Sequence, residues 1–268
     1  MLYIKEEKLK NISLNSNNFA VLMDFDRTIT TKDSLGSWSV LENTKFMDPK
    51  FKGQTKILVD TYYPYELDYS ISEEEKTKYI SIWYQKNMDL LYEYNLTYSI
   101  LLNCVKDSNM EFHNGCKDFL NKLYELNIPV VILSAGIGNV ITEWLKQNNS
   151  LFPNIHIFSN FIKFENDKMV PFDDKMIHTS NKSINRLPQD LKENILSKEH
   201  ILLFGDLIED LNMVKGYDLS NVLSFGFLEH RASENLNHYT KAYDIVLTDN
   251  SSYVEINEIL NRLLNNNA

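Results

Sequence analysis

The stretch VLMDFDRTIT, residues 21–30, ends an apolar run with two carboxylates, Asp24 and Asp26. The run FAVLM at 19–23 has the composition of a buried strand. Because side chains of an extended chain alternate with a period of two, Asp24 and Asp26 point to the same side. Two like charges at that spacing repel each other, so the sequence predicts a cation between them.

Further apolar runs along the chain predict the rest of a parallel sheet. They are PVVIL (129–133), HILLF (200–204), NVLSFGF (221–227) and DIVLT (244–248). Helical patterns flank the run at 129–133, with apolar residues at Cys116, Phe119, Leu120 and Leu123 before it and at Ile137, Val140, Ile141, Trp144 and Leu145 after it. Strands that alternate with amphipathic helices indicate βαβ units. The sequence therefore predicts an α/β fold, a parallel sheet flanked by helices on both faces.

One region interrupts this alternation. Residues from about 33 to 110 contain no clean buried strand, but Ser72 and Glu75 form a capping-box signal before a helical pattern. A further helix is expected to carry Ile100, Leu101, Cys104 and Val105. We therefore predict a core domain formed by residues 1–32 and 111–268, with residues 33–110 as an inserted helical domain.

Composition excludes several classes of partner. The 268 residues carry 27 basic and 37 acidic side chains, a formal charge of −10, which argues against a nucleic-acid polymer or an anionic membrane surface as partner. No apolar run approaches a membrane span, and the N-terminus is too polar for a secretory signal. Cys104 and Cys116 lack metal-ligand spacing and are expected to be reduced thiols. We expect a cytoplasmic protein that acts on a small molecule, and the oligomeric state stays open.

Polar residues follow three of the predicted strands. These are Asp24 and Asp26, then Ser134 with Ala135 and Gly136, and then Asp206. Each group alone is more typical of a turn or a helix cap. In open α/β sheets, however, ligands bind outside the carboxyl ends of the strands, so the three groups are expected to meet in one crevice. There, Ser134 and the following amides would suit a phosphate.

The acidic residues of this crevice predict a metal. Asp206 and Asp210 would add two carboxylates to Asp24 and Asp26, and an unpaired buried charge costs several kcal/mol. A hard divalent cation removes this cost, and oxygen ligands favour Mg²⁺, whereas the scattered histidines give no zinc site. Lys182 alone would be a surface lysine, but beside these carboxylates and a phosphate it becomes the counter-charge.

Together these residues resemble the haloacid dehalogenase (HAD) superfamily of phosphohydrolases. DFDRTIT is similar to its DxDxT motif, ILSAG to its second motif, Lys182 to its third and FGDLIED to its fourth, GDxxxD. The resemblance implies a HAD-like Rossmannoid sheet with a cap domain at 33–110. Within the superfamily, SAGIGNVI, IHTSNK, YYPYELD and AYDIVL resemble SAGIGDVL, IHVFNK, YYAIEVD and SYDIVL of the cytosolic pyrimidine 5'-nucleotidase (5'-nucleotidase III) family. The likeness runs from about residue 18 to the end and is weaker in the cap.

This resemblance implies a role for each polar residue. Asp24 corresponds to the nucleophile and a metal ligand, and Asp26 to the acid/base, whose backbone carbonyl also binds the metal. Asp206 corresponds to the metal-binding acid of the fourth motif, which Asp210 supports from just outside. Lys182 is the catalytic cation. The implied substrate-binding residues are Glu66, which reads the base, Asn87, where the family has serine, and the phosphate-binding Ser134, Ala135, Gly136 and Lys182.

The implied activity is Mg²⁺-dependent hydrolysis of nucleoside 5'-monophosphates through an aspartyl-phosphate. Asp26 favours phosphoryl transfer over dehalogenation, because a halide leaving group needs no acid. One alternative is a HAD phosphatase for another small phosphomonoester, such as phosphoserine or a sugar phosphate. Another is a non-catalytic nucleotide-binding protein of this fold, which the presence of Asp24, Asp26 and Lys182 disfavours.

The sequence departs from the family pattern in three places, and three aromatic residues are candidates for base stacking. The fourth motif is GDLIEDL in place of GDSQGDL, which changes the packing of its loop, and Asn139 replaces an aspartate. Asn87 in place of serine keeps the hydrogen bonding but adds bulk. Trp38 is expected to stack on a nucleobase, and Tyr62 and Tyr63 are weaker candidates for the same role. Aromatic residues at helical spacing, however, usually belong to a core.

Overall fold

The computed structural model describes residues 1–66, 68, 70–229, 232–248 and 252–265. Its strands are Leu2–Ile4 (β1), Phe19–Met23 (β2), Val130–Ile137 (β3), Ile155–Asn160 (β4), Phe164–Glu165 (β5), Lys168–Met169 (β6), His200–Gly205 (β7), Val222–Leu228 (β8) and Ile245–Thr248 (β9). Seven of them form one sheet in the order β1-β9-β8-β7-β2-β3-β4. All its neighbouring pairs are parallel except β1 and β9.

Helices cover this sheet and fill the interval between β2 and β3. They are Glu6–Lys10 (α1), Ser37–Glu42 (α2), Pro49–Glu66 (α3), Glu73–Glu93 (α4), Tyr98–Asp107 (α5), Cys116–Glu125 (α6), Gly138–Gln147 (α7), Gln189–Leu196 (α8), Ala232–Ala242 (α9) and Tyr253–Asn265 (α10). No helix in the described part of the chain combines the length and the apolar character needed to cross a bilayer.

Strand β2 lies at the centre of two hydrophobic clusters. Phe19, Val21 and Met23 pack into one cluster, while Ala20 and Leu22 pack into the other. Alternate residues of β2 thus face opposite sides of the sheet, and both sides are covered. This confirms the predicted α/β fold with a mainly parallel sheet. All five predicted strands are present, whereas β1, β4 and the β5–β6 hairpin were not predicted.

Among the described residues between 37 and 107, the regular elements are helices α2 to α5, and one β-bridge joins Thr97 to Lys168. Helix α4 begins as predicted, with the Ser72 hydroxyl accepting a hydrogen bond of 3.2 Å from the Glu75 amide. Leu101, Cys104 and Val105 of α5 are buried. We call residues 37–107 the helical insertion. Its division from the core at residues 33 and 110 stays a prediction.

The strand order changes direction at β2, which pairs with β3 on one side and β7 on the other. Met23 lies opposite Ile132 of β3 and Phe204 of β7. Strands β2 and β7 end at nearly this level, whereas β3 continues to Ile137 with a register shift after Leu133, so that Ser134, Ala135 and Gly136 lie within β3 and do not follow it as predicted. The end of β3 and the residues that follow β2 and β7 share one edge of the sheet. This is the place where ligands bind in open α/β folds.

Candidate active site at the carboxyl ends of the central strands

Lys182 joins two of the predicted acidic residues. Its Nζ atom lies 2.8 Å from Oδ1 of Asp24 and 2.8 Å from Oδ1 of Asp210. The lysine is only 2% exposed, although it follows a short 3-10 helix in a loop. Burial alone would lower the pKa of Lys182, but Asp210 and Asp24 raise it more, so the lysine stays charged. The structure thus places a fixed cation between the first and fourth motifs.

Asp210 also organises the loop that carries Asp206. Its Oδ2 atom accepts hydrogen bonds from the amides of Asp206, at 3.1 Å, and Leu207, at 3.0 Å. Gly205 makes this close approach feasible, because a Cβ atom there would collide with the Asp210 side chain. Asp210 therefore caps the turn, as the structural interpretation of this residue predicts, and it is also an ion-pair partner of Lys182.

The carboxylates at this edge have the donors and the charge that a metal ion requires. Oxygen atoms of Asp24, Asp206 and Asp210 all lie within 4.8 Å of one another. Burial raises the pKa of Asp24 to about 7 against the opposing effect of Lys182, and burial, Asp210 and Asp24 raise that of Asp206. Three carboxylates facing one lysine leave negative charge uncompensated. Mg²⁺, a hard cation that prefers oxygen ligands, fits this set.

Asp26 faces a different partner. Its Oδ1 accepts a hydrogen bond of 2.8 Å from the Ser37 amide, and its Oδ2 accepts one of 2.7 Å from the Ser37 hydroxyl. Burial raises the pKa of Asp26, although the hydrogen bonds from Ser37 oppose the shift. The side chain of Asp26 is accordingly held against the start of α2, apart from the group formed by Asp24, Asp206 and Asp210.

The second motif packs closely against the same serine. The Ser37 hydroxyl accepts a hydrogen bond of 3.3 Å from the Ile137 amide, and a Cβ atom at Gly136 would collide with it. The Gly136 amide donates to the Ser134 hydroxyl at 3.0 Å. Ala135 follows the buried Ser134, and its carbonyl accepts a hydrogen bond of 3.1 Å from the Trp38 indole. The helical insertion is thus attached directly to the predicted phosphate-binding turn.

Asn160, at the carboxyl end of β4, connects this turn to the lysine loop. Its amide nitrogen donates to the carbonyls of Ala135 at 2.9 Å and Ile177 at 2.8 Å, while its oxygen accepts from the Ile177 amide at 2.8 Å. Asn160 is 2% exposed. It therefore fixes the loop that leads to Lys182 against the second motif.

Three contacts hold the helical insertion over this loop and the fourth motif. The Thr179 hydroxyl donates to Glu66 Oε1 at 3.1 Å, and Ser81 shares a hydrogen bond of 3.0 Å with His178. Lys76 of α4 lies 3.9 Å from Glu209, one of the residues that distinguish GDLIEDL from the family pattern. Burial raises the pKa of Glu66, whereas burial and Arg186 lower that of His178 to about 4.

The predicted base-binding residues lie inside the insertion. Trp38 contacts Tyr84 edge-on, with ring centroids 5.5 Å apart, and Tyr84 in turn contacts His178 at 6.3 Å. Asn87 is 5% exposed, and its Oδ1 has no hydrogen-bond partner in the described residues. It lines a cavity together with Trp38 and Glu42. The cavity is too small for a water molecule as it stands, so a group could reach the Asn87 amide only if the lining side chains move.

The aromatic residues expected to be weaker candidates lie elsewhere on the insertion. The Tyr62 ring contacts Lys86 Nζ at 5.4 Å from the ring centroid. Tyr63 is 39% exposed and lies 6.1 Å from the ring of Trp83. Neither contact brings these tyrosines to Trp38, which packs on Tyr84.

Asn139 has a structural role that explains its departure from the family pattern. Its amide nitrogen donates to the Ile162 carbonyl at 3.1 Å, and its oxygen accepts from the Ile162 amide at 2.7 Å. An ionised aspartate has no donor for the carbonyl, so asparagine is the better match for this pair of groups. It ties the start of α7 to the residues after β4.

Sequence reasoning missed Ser37, Asn160 and Tyr84. The partner of Ser37 is 11 residues away, and Asn160 ends a strand that was not predicted. Tyr84 is buried among aromatic rings, and its position in α4 has only the helical spacing of a core residue. The one usable signal was the polar pair Ser159 and Asn160 after IHIF at 155–158, in which only His156 is polar.

Comparisons with known proteins agree with this geometry. Residues 25–264 match the sequence profile of the family described as Pyrimidine 5'-nucleotidase (UMPH-1). The Homo sapiens protein named 7-methylguanosine phosphate-specific 5'-nucleotidase is similar to this chain, with 32% identity over 252 residues that cover 91% of this chain and 84% of that protein.

Two solved structures are similar in fold. Cytosolic 5'-nucleotidase IIIB bound to cytidine superposes with a TM-score of 0.84 at 25% identity, covering 99% of this chain and 94% of its own. A probable phosphoserine phosphatase from Vibrio cholerae superposes with a TM-score of 0.64 at 13% identity, covering 96% of this chain and 68% of its own. The second likeness concerns the fold alone. Both confirm the HAD-like α/β architecture predicted from the motifs.

Proposed function

This chain belongs to the pyrimidine 5'-nucleotidase (UMPH-1) family, and on that premise we propose that it is a Mg²⁺-dependent phosphatase of nucleoside 5'-monophosphates. Membership makes it a phosphoric monoester hydrolase. One observation carries the finer proposal: buried Lys182 contacts Asp24 within a group of three carboxylates. A cation beside a carboxylate nucleophile is the arrangement that covalent phosphoryl transfer requires.

Asp24 is the proposed nucleophile. Its carboxylate oxygen attacks the phosphorus, the bond from phosphorus to the ribose 5' oxygen breaks, and an aspartyl-phosphate forms. Lys182, 2.8 Å from Oδ1 of Asp24, holds the carboxylate in one orientation and offsets the charge that develops on the phosphoryl oxygens. The same lysine lowers the pKa of Asp24 against burial, which favours the ionised form that attack requires.

Asp26 is the proposed acid and base. It gives a proton to the departing 5' oxygen and then takes one from the water that hydrolyses the aspartyl-phosphate, which releases phosphate and restores Asp24. Burial raises the pKa of Asp26, and this favours the protonated form needed in the first step. Ser37 holds both of its oxygens through hydrogen bonds, so the carboxyl group has a fixed orientation.

The residues proposed to hold Mg²⁺ are Asp24 and Asp206, together with the backbone carbonyl of Asp26, and Asp210 supports the site. When bound, the ion supplies a Lewis acid that stabilises negative charge on the phosphoryl oxygens. Ser134 and the amides of Ala135 and Gly136 are proposed to bind the phosphate, since they lie beside β2 at the same edge of the sheet, and the Gly136 amide would exchange its bond to the Ser134 hydroxyl for one to a phosphate oxygen.

The nucleoside is proposed to bind under the helical insertion, which we propose as a cap domain spanning 33–110. Trp38 provides an aromatic face, and Asn87 provides an amide whose oxygen has no other partner in the described residues. Glu66 supplies a carboxylate that suits a base with an amino group or a positive charge. The names of the relatives, which refer to 7-methylguanosine phosphate and to cytidine, support a nucleoside 5'-monophosphate.

We further propose a cytoplasmic location, which the word cytosolic in the name of the similar 5'-nucleotidase IIIB supports. The acidic charge of −10 fits a small-molecule substrate better than a polyanionic partner.

A substrate panel tests the proposed function. Phosphate release is measured from CMP, UMP, 7-methyl-GMP, AMP, phosphoserine and glucose 6-phosphate, with Mg²⁺ and with EDTA. We expect at least one nucleotide to have the highest kcat/KM, and EDTA to abolish turnover. Faster release from phosphoserine or the sugar phosphate would reject the nucleotide assignment, and turnover unaffected by EDTA would reject the metal.

A further inference from the structure

Two tyrosines behind the fourth motif donate hydrogen bonds to the backbone of its loop. The Tyr239 hydroxyl donates to the Asp206 carbonyl at 2.6 Å. The Tyr243 hydroxyl donates to the carbonyl of the next residue, Leu207. Both tyrosines come from the last turn of α9 and the residue after it, and neither belongs to the four sequence motifs.

The surrounding residues hold this pair firmly. Tyr239 and Tyr243 are four residues apart, and their rings stack with centroids 5.8 Å apart. Tyr243 is fully buried, and it rests on Gly226 of β8, where a Cβ atom would lie only 2.5 Å from its ring. The adjoining Asp244 accepts hydrogen bonds from the amide and hydroxyl of Ser224, also on β8, at 3.0 and 2.8 Å. The packing around the two rings therefore fixes the positions of both hydroxyl groups.

The hydrogen bonds fix the peptide group that follows Asp206. The Asp206 carbonyl and the Leu207 amide belong to one planar unit and point in opposite directions. Tyr239 binds the carbonyl, while Oδ2 of Asp210 accepts from the amide at 3.0 Å. With both ends of the plane held, rotation of the backbone next to the Asp206 side chain is restricted. Burial raises the pKa of Tyr243, so its hydroxyl keeps the proton that it donates.

We propose that Tyr239 and Tyr243 are positioning residues that set the affinity of the Asp206 site for Mg²⁺. The inference rests on the proposed metal-dependent function. A carboxylate that is already held in its binding orientation loses less conformational freedom when the ion binds, and hydrogen bonds just outside the ligands typically change metal affinity by about 10- to 100-fold.

Calorimetric titration of the full-length protein with MgCl₂, without substrate, tests this proposal. The variants are Tyr239→Phe, Tyr243→Phe and the double variant, which remove hydroxyl groups and keep the rings. Tyr253→Phe is the matched control, because Tyr253 is also fully buried but packs on Phe204 and Phe119 in the hydrophobic cluster on the other face of the sheet from Tyr239 and Tyr243. We expect affinity for Mg²⁺ to fall about 10-fold in each single variant and further in the double variant, and to be unchanged in the control.

The turnover number provides a second measurement. At saturating nucleotide, raising the Mg²⁺ concentration should restore most of kcat in Tyr239→Phe and Tyr243→Phe, while KM for the nucleotide stays unchanged. Circular dichroism of each variant checks that it is folded, and the two single variants give independent readings if the double variant unfolds. Affinities equal to that of the wild type in folded single variants would overturn the inference. A wild-type protein that binds no Mg²⁺ would instead overturn the proposed metal site, and the inference with it.

Discussion

The two sides of the candidate site are held by different forces. On the core side, Lys182 makes two ion pairs of 2.8 Å with buried carboxylates. On the side of the helical insertion, Glu66 and Ser81 each make a single hydrogen bond to the core, at 3.1 and 3.0 Å, and the one ion pair, Lys76 with Glu209, is longer at 3.9 Å. Separating a buried charge from its charged partner costs several kcal/mol, whereas a single hydrogen bond contributes about 1 kcal/mol net, or about 1.5–3 kcal/mol where one partner is charged.

This difference separates the chemistry from the selection of substrate. On the core side, Asp24 and Asp206 come directly after two adjacent parallel strands, which leave these side chains little freedom to move. Ser37, at the start of the insertion, holds Asp26 directly and belongs with the core side. The other residues of the insertion reach the site through the packing of helices, so a change there shifts one contact without disturbing the ion pairs. Variants on the core side should therefore change kcat, and variants on the insertion side should change KM and the preferred base.

The largest effect is expected for Asp24→Asn. Asparagine keeps the size of the side chain but removes the nucleophilic oxygen charge, so kcat should fall by about 10⁴-fold or more. Steady-state phosphate release measures this change. Asp60→Asn is the control, since Asp60 pairs with Lys56 on the exposed face of α3 and should leave turnover unaltered. A turnover rate close to that of the wild type in the Asp24→Asn variant would show that Asp24 is not the nucleophile.

A smaller effect is expected for Asn160→Asp. A carboxylate there has no donor for the Ala135 and Ile177 carbonyls, so the Lys182 loop should shift, and displacement by about 1 Å typically costs about 10²-fold in rate. Asn154→Asp is a matched control, because Asn154 is also buried and donates to the Ile128 carbonyl at the opposite end of the sheet. Both variants should unfold at lower temperature, but only Asn160→Asp should lose kcat. Equal kcat in the two variants would contradict a role for Asn160 in positioning Lys182.

A change in selectivity is expected for Glu66→Gln. Glutamine keeps an acceptor for Thr179 but removes the charge, so the ratio of kcat/KM between two nucleotides with different bases should change by about 10-fold while the best kcat stays within about two-fold. Competition between CMP and 7-methyl-GMP measures the ratio. Glu74→Gln, at the exposed start of α4, is the control. An unchanged ratio would remove Glu66 from base recognition.

The smallest effect concerns the pH dependence of stability at His178. Its pKa falls from the usual 6.5 to about 4 in the folded protein, so the unfolded chain binds more protons between these values. The free energy of unfolding therefore falls as the pH decreases from 6.5 towards 4. His178→Gln removes this titration, and the loss between pH 7 and pH 5.5 should be smaller by about 1 kcal/mol. Urea unfolding at both pH values measures it, and parallel curves for wild type and variant would contradict the assignment.

The same contrast explains how much the sequence could predict. Strands β2, β3 and β7 each contain a run of four or more apolar residues, and parallel pairing brings the ends of these runs together, so the positions of Asp24, Ser134 and Asp206 follow from period and polarity. Burial of Lys182 did not follow from its local sequence, since IHTSNKS has no strand or helix pattern. Lys182 was assigned to the site only through its resemblance to the third motif of the superfamily.

Other residues of the site have partners far along the chain. Ser37 and Asp26 are 11 residues apart, and Tyr239 reaches the Asp206 carbonyl across 33 residues. Such contacts depend on how helices dock, which hydrophobic periodicity does not specify. The short strand β1 and the hairpin β5–β6 were missed because runs of two or three residues have no readable period.

The central position of β2 in the sheet also has a consequence for folding during synthesis on the ribosome. Its partners lie far downstream, with Val21 beside Val130 and Phe19 beside His200. The nucleophile is thus made well before the strands that flank β2, and the sheet around it closes only after β7 has been synthesised. Pairing over such long separations makes folding slow, and until then the apolar run of β2 is exposed to aggregation and to chaperones.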